Sequence, residues 1–173
     1  MTPEGFAQLK IDEGFRADAY PDPLSPMAKA IRLPPAKRAR GWERLSGHPW
    51  TIGYGHTGLD VHPGLRWTKA QGEAALLHDV AEHEALLDKG IPWWRKLDPV
   101  RQDVLSNMVF NMGWDDPRTP RFEGLSGFQN TLAAVKVGNY RIAATNMRVS
   151  MWAGQVGVRA RRLAAMMETG NRV

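Results

Sequence analysis

Two carboxylates near the start of the chain, Glu13 and Asp22, and a hydroxyl further on, Thr51, have the types and settings that bond-breaking chemistry needs. Counted from Phe6, the residues three and seven further on are Leu9 and Glu13, so Glu13 falls on the apolar face and in the last turn of a first helix. Partial burial and the negative end of the helix dipole both oppose ionisation there, which suits a group that must donate a proton. An arginine neighbour would do the opposite and hold the carboxylate charged in a structural ion pair. Asp22 stands between Pro21 and Pro23, and a residue that precedes proline is pushed into extended backbone. By itself Asp22 reads as a turn former. Paired with a protonated partner, it is what glycoside hydrolysis requires: one carboxyl to protonate the leaving oxygen, one carboxylate on the other side of the bond.

The segment Trp50-Thr51-Ile52-Gly53-Tyr54-Gly55-His56 alternates, with Trp50, Ile52 and Tyr54 on one side and Thr51, Gly53 and Gly55 on the other. Read as one extended strand, it has a face bare except for a hydroxyl, where a ligand approaches the backbone closely and Thr51 holds a water. The same glycines also fit a strongly twisted hairpin. His78 and His83, with Asp79, Glu82 and Glu84, fall on differing faces of one exposed helix and read as solvated surface, so no metal and no cofactor is expected. Trp93 and Trp94 after Pro92 suit packing at a junction between lobes better than stacking on sugars. Arg159, Arg161 and Arg162 come with no groove-reading motif, so nucleic acid is not an expected partner. The absence of cysteine excludes disulfides, thiolate metal sites and a cysteine nucleophile.

The elements that must hold these residues follow from punctuation. Thr2, Pro3 and Glu4 open a helix that Gly14 stops. From Tyr20 to about Asp60, proline and glycine exclude long helices and predict short strands around Trp50 to His56. Thr68 to about Lys89 is helical, with Ala74, Leu76, Leu77, Val80 and Leu86 as its apolar positions. Asp98 and Pro99 open a central helix whose stripe is Val104, Leu105, Met108, Val109 and Met112, ended by Gly113. Further helices run from Ser126 to Val137, from Asn139 to about Trp152, and from Gln155 to Thr169.

At 173 residues the chain fits one domain or two small lobes, and its net charge of +5 is concentrated in one place. Between Leu24 and His48 stand Lys29, Arg32, Lys37, Arg38, Arg40 and Arg44 against the lone acid Glu43, so this segment carries the entire excess. Such a cluster implies a polyanion nearby, unless it is a solvated loop. The opening shows neither a secretory leader nor a membrane span, so synthesis in the cytoplasm is expected.

The order Ile11-Asp12-Glu13-Gly14, Tyr20-Pro21-Asp22, Thr51-Ile52-Gly53-Tyr54-Gly55-His56 resembles the phage lysozyme family typified by the lysozyme of T-even bacteriophages. Val104 to Gly113, Gly127 to Leu132, Trp152, Gln155 and Arg159-Ala160-Arg161-Arg162 extend the resemblance in the same order over most of the chain. It implies a single α+β, lysozyme-like domain over 1–173, mostly helical: a first helix at 1–14, a small β lobe at 15–66, and a helical lobe at 67–173 with the active-site cleft between lobes. It also implies a monomeric muramidase, or endolysin, that cuts the β-1,4 bond between N-acetylmuramic acid and N-acetylglucosamine in peptidoglycan, probing glycan strands with no cofactor. In that family's terms Glu13 is the general acid, Asp22 the second carboxylate and Thr51 the residue that helps position water. Gly55, Thr57, Phe110, Thr131 and Asn146 lie along the sugar groove, Arg159 pairs with Glu13, and His56 pairs with Asp79 structurally. The family generally inverts the anomeric centre, which asks for carboxyl groups roughly 6.5 to 9.5 Å apart. Alternatives are a lytic transglycosylase acting on the same bond, a wall-binding module, and a cationic protein that disturbs membranes. A cytoplasmic lysozyme needs a membrane pore, a phage holin, to reach the wall. The departure from the family is the basic insertion at 24–48, where relatives have a short turn. It reads as a lid or, preferred on charge, as a basic arm that meets anionic envelope polymers.

Overall fold

The Gly5 amide donates to the Thr2 hydroxyl oxygen at 3.0 Å, capping a helix that Pro3 opens and Gly14, at φ +66°, closes: α1 (Pro3–Glu13). After it come β1 (Arg16–Pro21), α2 (Pro26–Ile31), β2 (Trp50–Gly53), β3 (His56–Thr57), α3 (Lys69–Gly90), α4 (Pro99–Met112), α5 (Gln129–Lys136), α6 (Tyr140–Arg148), α7 (Met151–Val156) and α8 (Val158–Thr169). The computed structural model describes residues 1–115 and 124–173. The architecture is α+β, mostly helical with a small antiparallel sheet. The described residues form two compact units, Glu13–Asp79 and Met1–Asp12 with Val80–Val173.

In the smaller unit the sheet order is β1-β2-β3. β1 pairs with β2 through Arg16↔Gly53, Tyr20↔Thr51 and Pro21↔Trp50, with an irregularity between Arg16 and Tyr20, and β2 pairs with β3 through Thr51↔Thr57 and Ile52↔His56. Trp50, Ile52 and Val61 form its core, with Ala19, Met27, Leu65 and Trp67 packed against them. The single long strand expected through Gly55 is instead a hairpin. Gly53 and Gly55 take φ +68° and +96°, values that side-chain-bearing residues rarely adopt, and turn the chain between Ile52 and His56. The bare face is also absent at Gly53, because a Cβ there would lie 3.1 Å from the Trp67 ring, and Thr51 is buried.

The larger unit is built around α4, in which Asp103 to Val109 are all buried. Its core gathers Leu87, Ile91, Trp94, Leu105, Met108, Leu125, Met147 and Leu163 with others from α5 to α8. Trp94 is 0% exposed and donates its indole N–H to Asp88 at 2.8 Å, so it is a core side chain of this unit and not a sugar platform. Three sequence expectations are corrected. On α3, Leu77 and Leu86 are exposed and Leu87 is buried, because the inward stripe runs through Leu76, Val80 and Leu87. The run from Asn139 to Trp152 breaks at Val149, where extended Ser150 caps α7 through the Ala153 amide. The last helix starts at Val158, not Gln155, because Gly157 at φ +55° interrupts it. β1 and α2 are further elements, which the punctuation of the sequence does not announce.

Asp98 caps α4, accepting the Arg101 amide at 3.0 Å and its guanidinium at 2.6 Å. Burial raises the Asp98 carboxyl, but the bonds from Arg101 outweigh it and hold the group below the usual carboxylate range. A lowered value in the folded state stabilises above the unfolded value and is lost as pH falls through the folded one. Asp98→Ala is therefore expected to lower stability by about 1 kcal/mol at neutral pH. The gap from the parent should shrink in strong acid, as thermal melts at pH 7 and below about pH 3 would record.

Candidate active site

Glu13 is the last residue of α1 and is half-buried; Gly14 then turns the chain into β1. On the hairpin, exposed Gly55 faces it: a Cβ built there would stand 4.0 Å from Glu13 Oε2. The absent side chain keeps the space beside that oxygen open to a ligand.

Asp22 lies one residue beyond β1 and continues the ladder, its amide donating to the carbonyls of Pro49 at 2.9 Å and Gly47 at 3.0 Å. Directly opposed residues of an antiparallel sheet share a face, and the pleat returns to that face every second residue. Tyr20, Thr51 and Thr57 therefore form a row across the three strands, with Asp22 beside it; Trp50 and Ile52 take the core face. Asp22 is also the turn former that it reads as in isolation, since its Oδ1 accepts the Leu24 amide at 2.7 Å. The turn fixes the carboxylate by one oxygen and leaves Oδ2 as the second.

His56 and Asp79 are brought together as expected, with Nδ1 at 3.0 and 2.9 Å from the two carboxylate oxygens. Asp60 stands 3.6 Å from Nε2, and the Trp67 ring lies 5.3 Å from the imidazole, so the hairpin is tied to α3 and to the chain that follows it. The same helix turn corrects one detail. His78, Asp79 and Glu82, read as lying on differing faces, bring their ligand-capable atoms within 4.8 Å of one another, because residues four apart are helix neighbours.

The larger unit holds Phe110, Thr131, Asn146 and Arg159. Thr131 and Asn146 meet in a surface pocket of about 390 Å³ with Phe128, Gln129, Asn130 and Ser150. Thr131 is itself buried. Phe110 lies elsewhere, its ring 5.1 Å from that of His83. Arg159 donates through Nε to Asn107 Oδ1 at 2.7 Å and lies 3.6 Å from Asp12. Arg162 donates to both oxygens of Asp12, at 2.7 and 2.6 Å, and Asn107 donates to Asp12 at 3.1 Å. Asp12 is thus the hub of a buried polar network that fixes the last turn of α1. Sequence reasoning missed Asp12, Asn107 and Arg162 in this role; the three-residue spacing of Arg159 and Arg162 on one helix face was the available signal.

A model of the family described as phage lysozyme matches residues 10–165. The chain belongs to the phage lysozyme family. The match spans both carboxylates, the hairpin, the insertion and every candidate residue up to Arg159. Membership gives the chain its fold class, lysozyme-like, and its broad activity, that of a glycosidase-type hydrolase of the bacterial wall polymer peptidoglycan. Among the described residues, no helix of the chain is long and apolar enough to cross a membrane.

Proposed function

We propose that the protein is an N-acetylmuramidase that hydrolyses the β-1,4 bond between N-acetylmuramic acid and N-acetylglucosamine, with inversion at the anomeric carbon. The observation that carries this reading is the strand register, which gives Asp22 and Thr51 a common sheet face in the unit that begins at Glu13. Glu13 donates its proton to the bridging oxygen as the C1–O bond breaks. Asp22 takes a proton from the water that attacks C1 from the opposite face, and Thr51 helps to hold that water. The open space at Gly55 supports access to Glu13, and Thr57, Phe110, Thr131 and Asn146 contact the sugars. His56, Asp79 and Arg159 act as positioning residues. The enzyme works as a monomer, made in the host cytoplasm, and reaches the wall after a holin opens the membrane, which leads to lysis.

Product analysis tests this directly. Digested sacculi should yield muropeptides with hydrated reducing ends in mass spectra, and proton NMR of fresh products should show the α-anomer first. Anhydro ends would make it a lytic transglycosylase, and an initial β-anomer would make Asp22 a nucleophile in a retaining reaction.

A further inference from the structure

The insertion at 24–48 is not a loose arm. It folds as α2 and two single 3-10 turns, Pro35–Lys37 and Trp42–Arg44. Ser25 caps α2 through the Ala28 amide, and Ala28 and Ala30 turn inward. Two ties close the segment. The Met27 amide donates to the Ser46 carbonyl at 3.0 Å, which joins its two ends beside Leu24 and Leu45. Arg38 donates to the carbonyls of Ile31 at 2.9 Å and Leu33 at 3.0 Å and stacks 4.9 Å from the Trp42 ring. Of the six cations, Arg38 is therefore spent on holding the fold together. Lys29, Arg32, Lys37, Arg40 and Arg44 are exposed, against the single acid Glu43.

Charge alone does not describe this surface. Leu24, Ile31, Leu33 and Leu45 are 75, 40, 44 and 40% exposed among those cations. An isolated exposed leucine is ordinary, but four exposed aliphatic side chains interleaved along one folded segment with five exposed cations and a single acid make that segment both apolar and basic. A soluble polyanion rewards the cations and leaves the aliphatic groups in water. An anionic bilayer rewards both, since headgroup phosphates take Lys and Arg while the acyl boundary takes the leucines and isoleucine. We propose that the folded 24–48 insertion is a docking surface for anionic lipid membranes, a role distinct from glycan cleavage. It would hold the enzyme at the lipid face beside its polymeric substrate.

The test uses the full chain and vesicles of phosphatidylethanolamine with about one-third phosphatidylglycerol, against vesicles of phosphatidylcholine alone. Sedimentation should show binding to the first and not the second, weakening with salt. Replacing Lys29, Arg32, Lys37, Arg40 and Arg44 with Gln, or Ile31, Leu33 and Leu45 with Ser, should each weaken vesicle binding about tenfold or more. Hydrolysis of purified sacculi should stay unchanged, which also reports that the variants fold. The chain has no cysteine, so Leu33→Cys carries a polarity-sensitive dye at one place. Its emission should shift to the blue on the anionic vesicles and not on soluble polyphosphate. Failure to bind anionic vesicles, binding that ignores both sets of substitutions, or a dye that stays in water would overturn the proposal. Tight polyphosphate binding with a dye indifferent to vesicles would assign the surface to an anionic polymer instead.

Discussion

Glu13→Gln is expected to reduce the clearing of chloroform-treated Gram-negative cells by roughly 10²- to 10⁴-fold, the range that a positioned general acid contributes. Glutamine keeps the length and shape of the side chain but has no acidic proton to give the bridging oxygen. The loss should fall on kcat, because the interaction belongs to the transition state and not to glycan binding. Binding to sacculi should therefore survive, and circular dichroism should show the parent's fold. Glu13→Asp retains the acid but withdraws it by one carbon from the space that Gly55 leaves open; it should sit between the two in rate, since small misplacements of a reacting group are costly. Lysis at the parental rate by Glu13→Gln would remove the acid from the mechanism. A wall-binding module would clear no cells in either form, and a membrane disruptor would act equally in both.

What was legible in the sequence was what depends on neighbours along the chain. Thr2 and Gly14 bound α1, Asp98 and Gly113 bound α4, and Asn139 caps α6, because a cap is made by residues within one turn of the group it satisfies. Glu13 at a helix end and Asp22 in an extended, proline-flanked stretch were readable for the same reason. β1 was not, because in Arg16-Ala17-Asp18-Ala19-Tyr20-Pro21 the alternating apolar residues are only small alanines, which favour strands weakly, and the segment is held by pairing with β2, some thirty residues away. The hairpin at Gly53 to Gly55 shows the limit of a period-two pattern: alternation continues through residues that have left the strand. The stripe on α3 slipped by one position because Leu86 and Leu87 are chemically alike, and only the packing partner distinguishes them. The insertion's charge was plain, yet the inward role of Arg38 depends on two carbonyls that become available only where α2 ends.

The Asp12 network lay furthest from sequence reach, joining α1, α4 and α8 across up to 150 residues, and its removal is expected to have the largest effect on stability. The Asp12 side chain is 5% exposed and receives Arg162, Asn107 and Gln8, with Arg159 at 3.6 Å. Asp12→Ala would take from the largely buried Arg162 guanidinium the carboxylate that accepts from it, and Arg162 Nε is already a buried donor without a partner among the described residues. Breaking one side of such a pair costs about 3–5 kcal/mol, because the remaining charge stays out of water. For a chain of this size the melting temperature should fall on the order of 10 °C. Asp12→Asn, which keeps hydrogen-bond acceptors but no charge, should lose less. Adding Arg162→Met to Asp12→Ala should recover part of the loss, since the second change removes the stranded charge that made the first so costly. If Asp12→Ala melts within about 2 °C of the parent, or if the double variant is simply the sum of two losses, the network contributes geometry without net stability. In that case its role is confined to holding the last turn of α1, and the variant's defect should appear in the rate of cleavage and not in the melt.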